Sequence, residues 1–149
     1  MEKEDSILCS ACLLGVRCRY DGESKPDDKV LALMEKESLI PVCPEQLGGF
    51  STPREPAEQK GDRVITKSGK DVTASFIKGA EQVLGLAKLF GIKKVILKQK
   101  SPSCGCGKIY DGTFSKTIIK GDGVTSALLK KNGIEVMTEE DFLLECGIK

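Results

Sequence analysis

Residues 73–98 read TASFIKGAEQVLGLAKLFGIKKVILK. Phe76, Ile77, Ala80, Val83, Leu84, Ala87 and Phe90 recur at helical spacing, and Gly91 supplies the stop. Asp71 or Thr73 stands where an N-cap belongs. Directly after the stop comes Lys94-Val95-Ile96-Leu97-Lys98, a short apolar run and the clearest strand signal in the chain. A long amphipathic helix feeding a short buried strand is the repeating unit of a wound α/β sheet.

The same alternation continues outward. Upstream, Ile7-Leu8-Cys9 is a short apolar run followed by a small, irregular stretch from Ser10 to Gly15. Ser24-Lys25-Pro26-Asp27-Asp28 supplies a cap, an early proline and first-turn acids for a helix through Val30, Leu31, Leu33 and Met34. Leu39-Ile40-Pro41-Val42 is a second apolar run, ending at Cys43-Pro44. Gly48 to Lys70 is polar and rich in Gly and Pro, and reads as a long loop with a small hairpin at Arg63 to Lys67. Downstream, Ser101 to Gly107 is turn-rich, Gly123 to Lys131 is helical and closed by Asn132-Gly133, Ile134 to Met137 is a last strand, and Glu139 to Cys146 a terminal helix. The pattern predicts an α/β fold: a wound sheet of mostly parallel strands with helices on both faces, in one domain over residues 1–149.

Composition narrows the chemistry. Lys and Arg nearly balance Asp and Glu, for a formal net charge of +1, so no overall field draws the chain to duplex nucleic acid or to a membrane. The polar start, Met1-Glu2-Lys3-Glu4-Asp5, is unlike a secretory signal, and the uncharged run from Ser6 to Val16 is too short to span a bilayer. A cytoplasmic protein with reduced cysteines is expected. The chain has no histidine, which excludes imidazole bases, Ser-His-Asp catalysis and His-ligated zinc. It has seven cysteines, an odd number that no closed set of disulfides uses up.

Their placement is the informative part. Cys9 and Cys12 follow the first predicted strand, Cys43 ends the second, and Cys104 and Cys106 follow the third. In wound parallel sheets ligands bind beyond the carboxyl ends of the strands, so five thiols are directed to the edge where such folds build their sites. Cys9 reads as a buried strand residue and Cys12 as a ligand in the loop. Cys43-Pro44-Glu45, with Gly48-Gly49 behind it, sets a soft ligand and a proton acceptor in one turn. Ser101-Pro102-Ser103-Cys104-Gly105-Cys106-Gly107 mixes hydroxyls, thiols and glycines. Cys18 and Cys146 have no thiol neighbour in sequence and read as structural or incidental. Arg17, Arg19 and Arg54 are candidates for an anionic group, with a solvated surface arginine equally consistent. Gly121-Asp122-Gly123 before a helix allows an anion site or an ordinary cap.

Spacing alone leaves the metal open. Paired C-x-x-C motifs of a structural zinc site are absent, whereas an iron–sulfur cluster tolerates dispersed thiolates. One cysteine from each loop would leave a four-iron cluster with an open iron, a Lewis acid for a soft atom of substrate. A non-catalytic zinc or iron–sulfur binding module, and a thiol-based sulfur carrier using Cys9 and Cys12, are the rival readings.

Taken together, Ser10-Ala11-Cys12-Leu13-Leu14-Gly15, Arg19-Tyr20-Asp21-Gly22, Cys43-Pro44-Glu45 with Gly48-Gly49 and Pro53-Arg54, Ser101 to Gly105, and Gly123-Val124-Thr125 resemble the thiouracil desulfidase (TudS-like) family, formerly a domain of unknown function, over nearly the whole chain. The resemblance implies a Rossmann-like domain with an oxygen-sensitive [4Fe–4S] cluster on Cys12, Cys43 and Cys104. It implies non-redox hydrolysis of thiolated pyrimidines, of the 2-thiouracil or 4-thiouridine monophosphate type, with sulfur bound to the open iron. The family's carboxylate would fall at Glu45 and its hydroxyl at Ser101 or Ser103. Cys9, Cys18 and Cys106 are extra thiols outside that pattern.

Overall fold

A computed structural model describes residues 6–141. Its centre is a four-stranded sheet of β1 (Ser6–Ser10), β2 (Ser38–Val42), β5 (Lys94–Leu97) and β8 (Glu135–Thr138). The order is β2-β1-β5-β8, and every neighbouring pair is parallel. Register aligns Ser10 with Val42 and Leu97 with Thr138, so the carboxyl ends share one edge. The chain steps one way from β1 to β2 and the other way from β2 to β5, which makes β1 the switch point where such sheets open a crevice.

The two faces of the sheet are covered by different helices, as the alternating side chains of each strand require. Ile7, Cys9 and Ile96 pack on one face with Val30 of α1 (Asp28–Leu33) and Leu13 of a 3-10 turn at Ala11–Leu14. Leu8, Val95 and Leu97 pack on the other with Val83 and Ala87 of α3 (Thr73–Phe90) and Leu129 of α4 (Val124–Lys131). Leu8, Val83, Val95, Leu97 and Leu129 are fully buried, and each such side chain contributes about 1.5–3 kcal/mol of burial.

Helix starts differ from the sequence reading: Asp27, expected in the first turn of α1, is its N-cap, and α3 follows Val72 with no side-chain cap. Asp27 caps α1 through Lys29 N and Val30 N. Asp71 accepts from Thr73 N at the start of α3, while Thr73 Oγ1 accepts from Val64 N. Gly91 ends α3 in the left-handed region, at φ +64°. The terminal helix expected over Glu139 to Cys146 begins at residue 139, and its part after 141 lies outside the described residues.

Two features differ from expectation. The hairpin is longer and earlier than Arg63 to Lys67: β3 (Ala57–Lys60) pairs antiparallel with β4 (Arg63–Thr66) through a turn at Gly61-Asp62. β3 carries Glu58-Gln59-Lys60 and has no apolar alternation. It is held by its polar side chains instead, since buried Glu58 accepts from Gly112 N and Phe114 N. A second hairpin of two-residue strands, β6 (Ile109–Tyr110) and β7 (Ile118–Ile119), was also not expected. Among the described residues, no helix is long and apolar enough to cross a membrane.

Candidate functional site

Each strand hands the chain to the carboxyl edge. There a cavity of about 420 Å³ opens between the loops after β1, β2 and β5 and the β3–β4 hairpin. Cys12, Cys43 and Cys104 all line it, together with Glu45 and Ser101. Thiols from three separate strand ends thus open onto one cavity. Cys9 and Cys106 do not line the cavity: Cys9 is fully buried in β1, and Cys106 Sγ lies 3.9 Å from Val136 O.

Of the two readings left for Cys18, structural or incidental, its packing fits the first. It is buried, lines the cavity and packs with Cys12 and Cys43. Its carbonyl is approached by Cys43 Sγ at 3.8 Å and receives Arg54 Nη2 at 2.8 Å. Sequence distance hid this contact, because the separation of 25 positions between Cys18 and Cys43 takes in a whole helix and strand.

The thiols sit where charge is unfavourable without a cation. Burial pushes the Cys104 thiol up to about 12, partly offset by the Ser10 hydroxyl. A hydrogen bond with Cys12 is the main cause that pushes Cys18 to about 11. Cys43 is pushed up by its hydrogen bond with Cys18 and then by burial. Burial likewise pushes Cys9 to about 12. None of the six described cysteines is in a disulfide. A bound cation reverses this balance, since thiolates form as the metal arrives and protons leave. Among the described residues no three Cys, Asp or Glu side chains are grouped closely enough to hold a single ion.

Glu45 is placed by backbone packing. It opens α2 (Pro44–Leu47), and a Cβ at Gly79 of α3 would collide with Pro44 O, as one at Gly48 would with Ser75 O. Those glycines bring two helices together. Arg54 then fixes the carboxylate, with Nε 3.0 Å from Glu45 Oε1. Its remaining hydrogen bonds reach Cys18 O, Ser51 O and Thr52 Oγ1. Arg54 is thus a clamp, and neither Arg17 nor Arg54 presents a free guanidinium to the cavity.

The two serines separate. Ser101 lines the cavity, and its Oγ accepts from both Ser103 N and Cys104 N at 3.1 Å, leaving its hydrogen to donate. Ser103 is 1% exposed, lies outside the lining and bonds Thr125 Oγ1 at 2.7 Å. The Cys104 loop rests on the N-terminus of α4: Val124 N, Thr125 N and Gly123 N donate to Pro102 O, Ser103 O and Gly105 O. The Gly121-Asp122-Gly123 turn therefore holds this loop, and those amides are not open to an anion. Gln99, which sequence reading missed, closes the loop by exchanging hydrogen bonds with the backbone of Cys106.

The lining also carries aromatic and basic side chains. Tyr20 and Tyr110, the only tyrosines in the chain, both line the cavity. So do Arg19, Lys25, Lys98 and Lys100. Arg19 pairs with Asp21, Lys98 with Glu139 and Lys100 with Glu140, whereas Lys25 has no ion pair among the described residues.

Comparison with known proteins agrees with this architecture. The model of the 2-thiouracil desulfurase family matches residues 7–141. An uncharacterised protein, YbbK of Bacillus subtilis (strain 168), is 46% identical over 146 residues, covering 91% of this chain and 97% of its own. A solved structure described as the [4Fe-4S]-dependent thiouracil desulfidase TudS superposes with a TM-score of 0.87 at 44% identity, over 98% of this chain and 100% of that one.

Proposed function

The chain belongs to the 2-thiouracil desulfurase family, and from that premise we propose that it hydrolyses the C–S bond of thiolated pyrimidines with a [4Fe–4S] cluster on Cys12, Cys43 and Cys104. The observation that carries this reading is the meeting of those three thiols, Glu45 and Ser101 on one cavity. Three soft donors from separate loops, with no disulfide and no histidine competing, suit an iron–sulfur cluster. When bound there, a cluster with three protein ligands supplies an iron with an open position, a Lewis acid matched to a thiocarbonyl sulfur.

The remaining roles fall to the chain's own side chains. Glu45, held through Oε1 by Arg54, takes a proton from a water that attacks the carbon bearing sulfur. The C–O bond forms as the C–S bond breaks. Thiocarbonyl plus water becomes carbonyl plus hydrogen sulfide, with no electrons gained or lost. Ser101, its acceptor side filled by two amides, donates to the ring of the substrate. Tyr20 and Tyr110 offer faces to a flat base, and base–aromatic stacking contributes about 1–3 kcal/mol. Lys25, a lining cation with no ion pair among the described residues, suits a phosphate, which favours a nucleotide of the 4-thiouridine monophosphate type over the free base. The thiols require a reducing compartment, consistent with the cytoplasm.

The test is anaerobic cluster reconstitution followed by sulfide release from 2-thiouracil and from 4-thiouridine monophosphate. Cys12→Ala, Cys43→Ala and Cys104→Ala should each lose the four-iron spectrum. Glu45→Ala should keep it while turnover falls about 10²–10⁴-fold. Zinc without iron or sulfide in the purified protein, or wild-type turnover by Glu45→Ala, defeats the reading.

A further inference from the structure

Ser10 is the last residue of β1, 2% exposed, and no role has yet been assigned to its side chain. Its Oγ accepts from Lys98 N at 2.9 Å. That amide sits just past β5, the parallel neighbour of β1, so the oxygen is pinned by the sheet itself. A hydroxyl has one hydrogen, and with an N–H already on its oxygen that hydrogen is free to point away. It points to Cys104 Sγ, 3.7 Å distant.

We infer that Ser10 is a positioning residue that donates a hydrogen bond to the Cys104 sulfur and thereby sets the electron density of the cluster bound there. The inference rests on the proposed ligand role of Cys104. It goes beyond that role, because it assigns tuning to a residue that holds no metal and takes no proton from substrate.

The physical argument is one of charge. A thiolate that accepts a hydrogen bond gives less density to its iron, and hydrogen bonds to sulfur are among the factors that set cluster potentials. The bond is charge-assisted once Cys104 is a thiolate, and both partners are buried, at 2% and 5% exposure. It stabilises the more negative, reduced cluster, so it raises the potential. In the resting cluster the same withdrawal leaves the open iron a stronger acid. Cys43 differs, since its sulfur lies against a carbonyl, Cys18 O, and its donor is the main chain at Gln46 and not a hydroxyl.

The experiment compares wild type, Ser10→Ala and Ser10→Thr after anaerobic reconstitution, reading iron per chain and the midpoint by EPR-monitored reductive titration. Ser10→Ala should hold wild-type iron with a midpoint lowered by about 59 mV, a tenfold shift for a one-electron couple. Ser10→Thr, which keeps the hydroxyl, should return to the wild-type midpoint. An unchanged midpoint in fully loaded Ser10→Ala overturns the inference, as does an equal shift in both variants. If Ser10→Ala fails to accumulate, pulsed EPR of the reduced wild-type cluster in H₂O and D₂O decides, because an exchangeable coupled proton must be present and must persist in Ser10→Thr. Absence of any four-iron cluster in wild type, or an intact one in Cys104→Ala, defeats the functional reading itself, whereas failure confined to the midpoints defeats only the role of Ser10.

Discussion

Cys104 and Cys43 line the same cavity, yet the chain around them is held by opposite means. The Cys104 loop is bound main chain to main chain: amides of Gly123, Val124 and Thr125 grip the carbonyls of Gly105, Pro102 and Ser103, and Ser126 Oγ donates to Cys104 O at 2.7 Å. Around Cys43 the backbone contact of α2 with α3 is joined by one side chain. Arg54 joins Glu45, the Cys18 carbonyl and the Ser51–Thr52 turn. The first wall leans on several main-chain amides and the second on one guanidinium, and neither has room for a Cβ where its backbones touch.

The contrast breaks most visibly at Arg54. Arg54→Ala strands a partly buried carboxylate and frees a buried carbonyl, and should lower unfolding stability by about 2–4 kcal/mol in urea titration, a little below a fully buried pair because Glu45 retains some exposure. Arg54→Lys should not restore it, since an ammonium has no planar fork to span the partners. Equal stability of wild type and Arg54→Ala would show that this wall has other support.

On the opposite wall Gly123→Ala sharpens the comparison. Its new Cβ would meet the carbonyl of Ser103, and Cys104 N at 2.7 Å, so α4 must back away from the loop. The expected cost is about 1–3 kcal/mol, read by the same titration. Alkylation of Cys104 should quicken as the loop loosens. Wild-type stability and an unreactive Cys104 in that variant would contradict the gripping role of α4.

Asp71 lies away from both walls and provides the smallest effect. Hydrogen bonds from Thr73, and then from Arg63, hold its carboxyl at about 2 instead of 3.8. A carboxyl depressed on folding stabilises the fold above its unfolded value and loses that contribution as pH falls through the folded one. Thermal unfolding between pH 4 and pH 2 should therefore fall slightly more steeply for wild type than for Asp71→Asn. Parallel profiles for the two proteins would remove Asp71 from the pH dependence.

Much of the site was legible because a parallel sheet converts order along the chain into position. Three apolar runs, followed by Cys12, by Cys43 and by Cys104, direct those thiols to one edge, whatever the detailed packing. Glu45 follows from its two-residue spacing to Cys43. What escaped depends on contacts between distant segments. Nothing local to Cys18 marks it as a neighbour of Cys43. β3 lacks apolar alternation, since Glu58 and Gln59 secure it by hydrogen bonds to other loops. Strands as short as Ile109–Tyr110 carry too few residues for any periodicity.

Residue order by itself determined the wound parallel sheet, the edge that gathers thiols and the exclusion of imidazole chemistry, because periodicity, strand ends and composition are local properties of a chain. Tertiary packing decided the rest. The hydroxyl of Ser103 bonds to Thr125 while Ser101 is left facing the cavity, Arg54 became a clamp, and Ser10 acquired the sulfur of Cys104 as partner. Each of those outcomes depends on which of several equally capable groups lies within hydrogen-bond reach, a distance of about 3–4 Å that only the folded backbone sets.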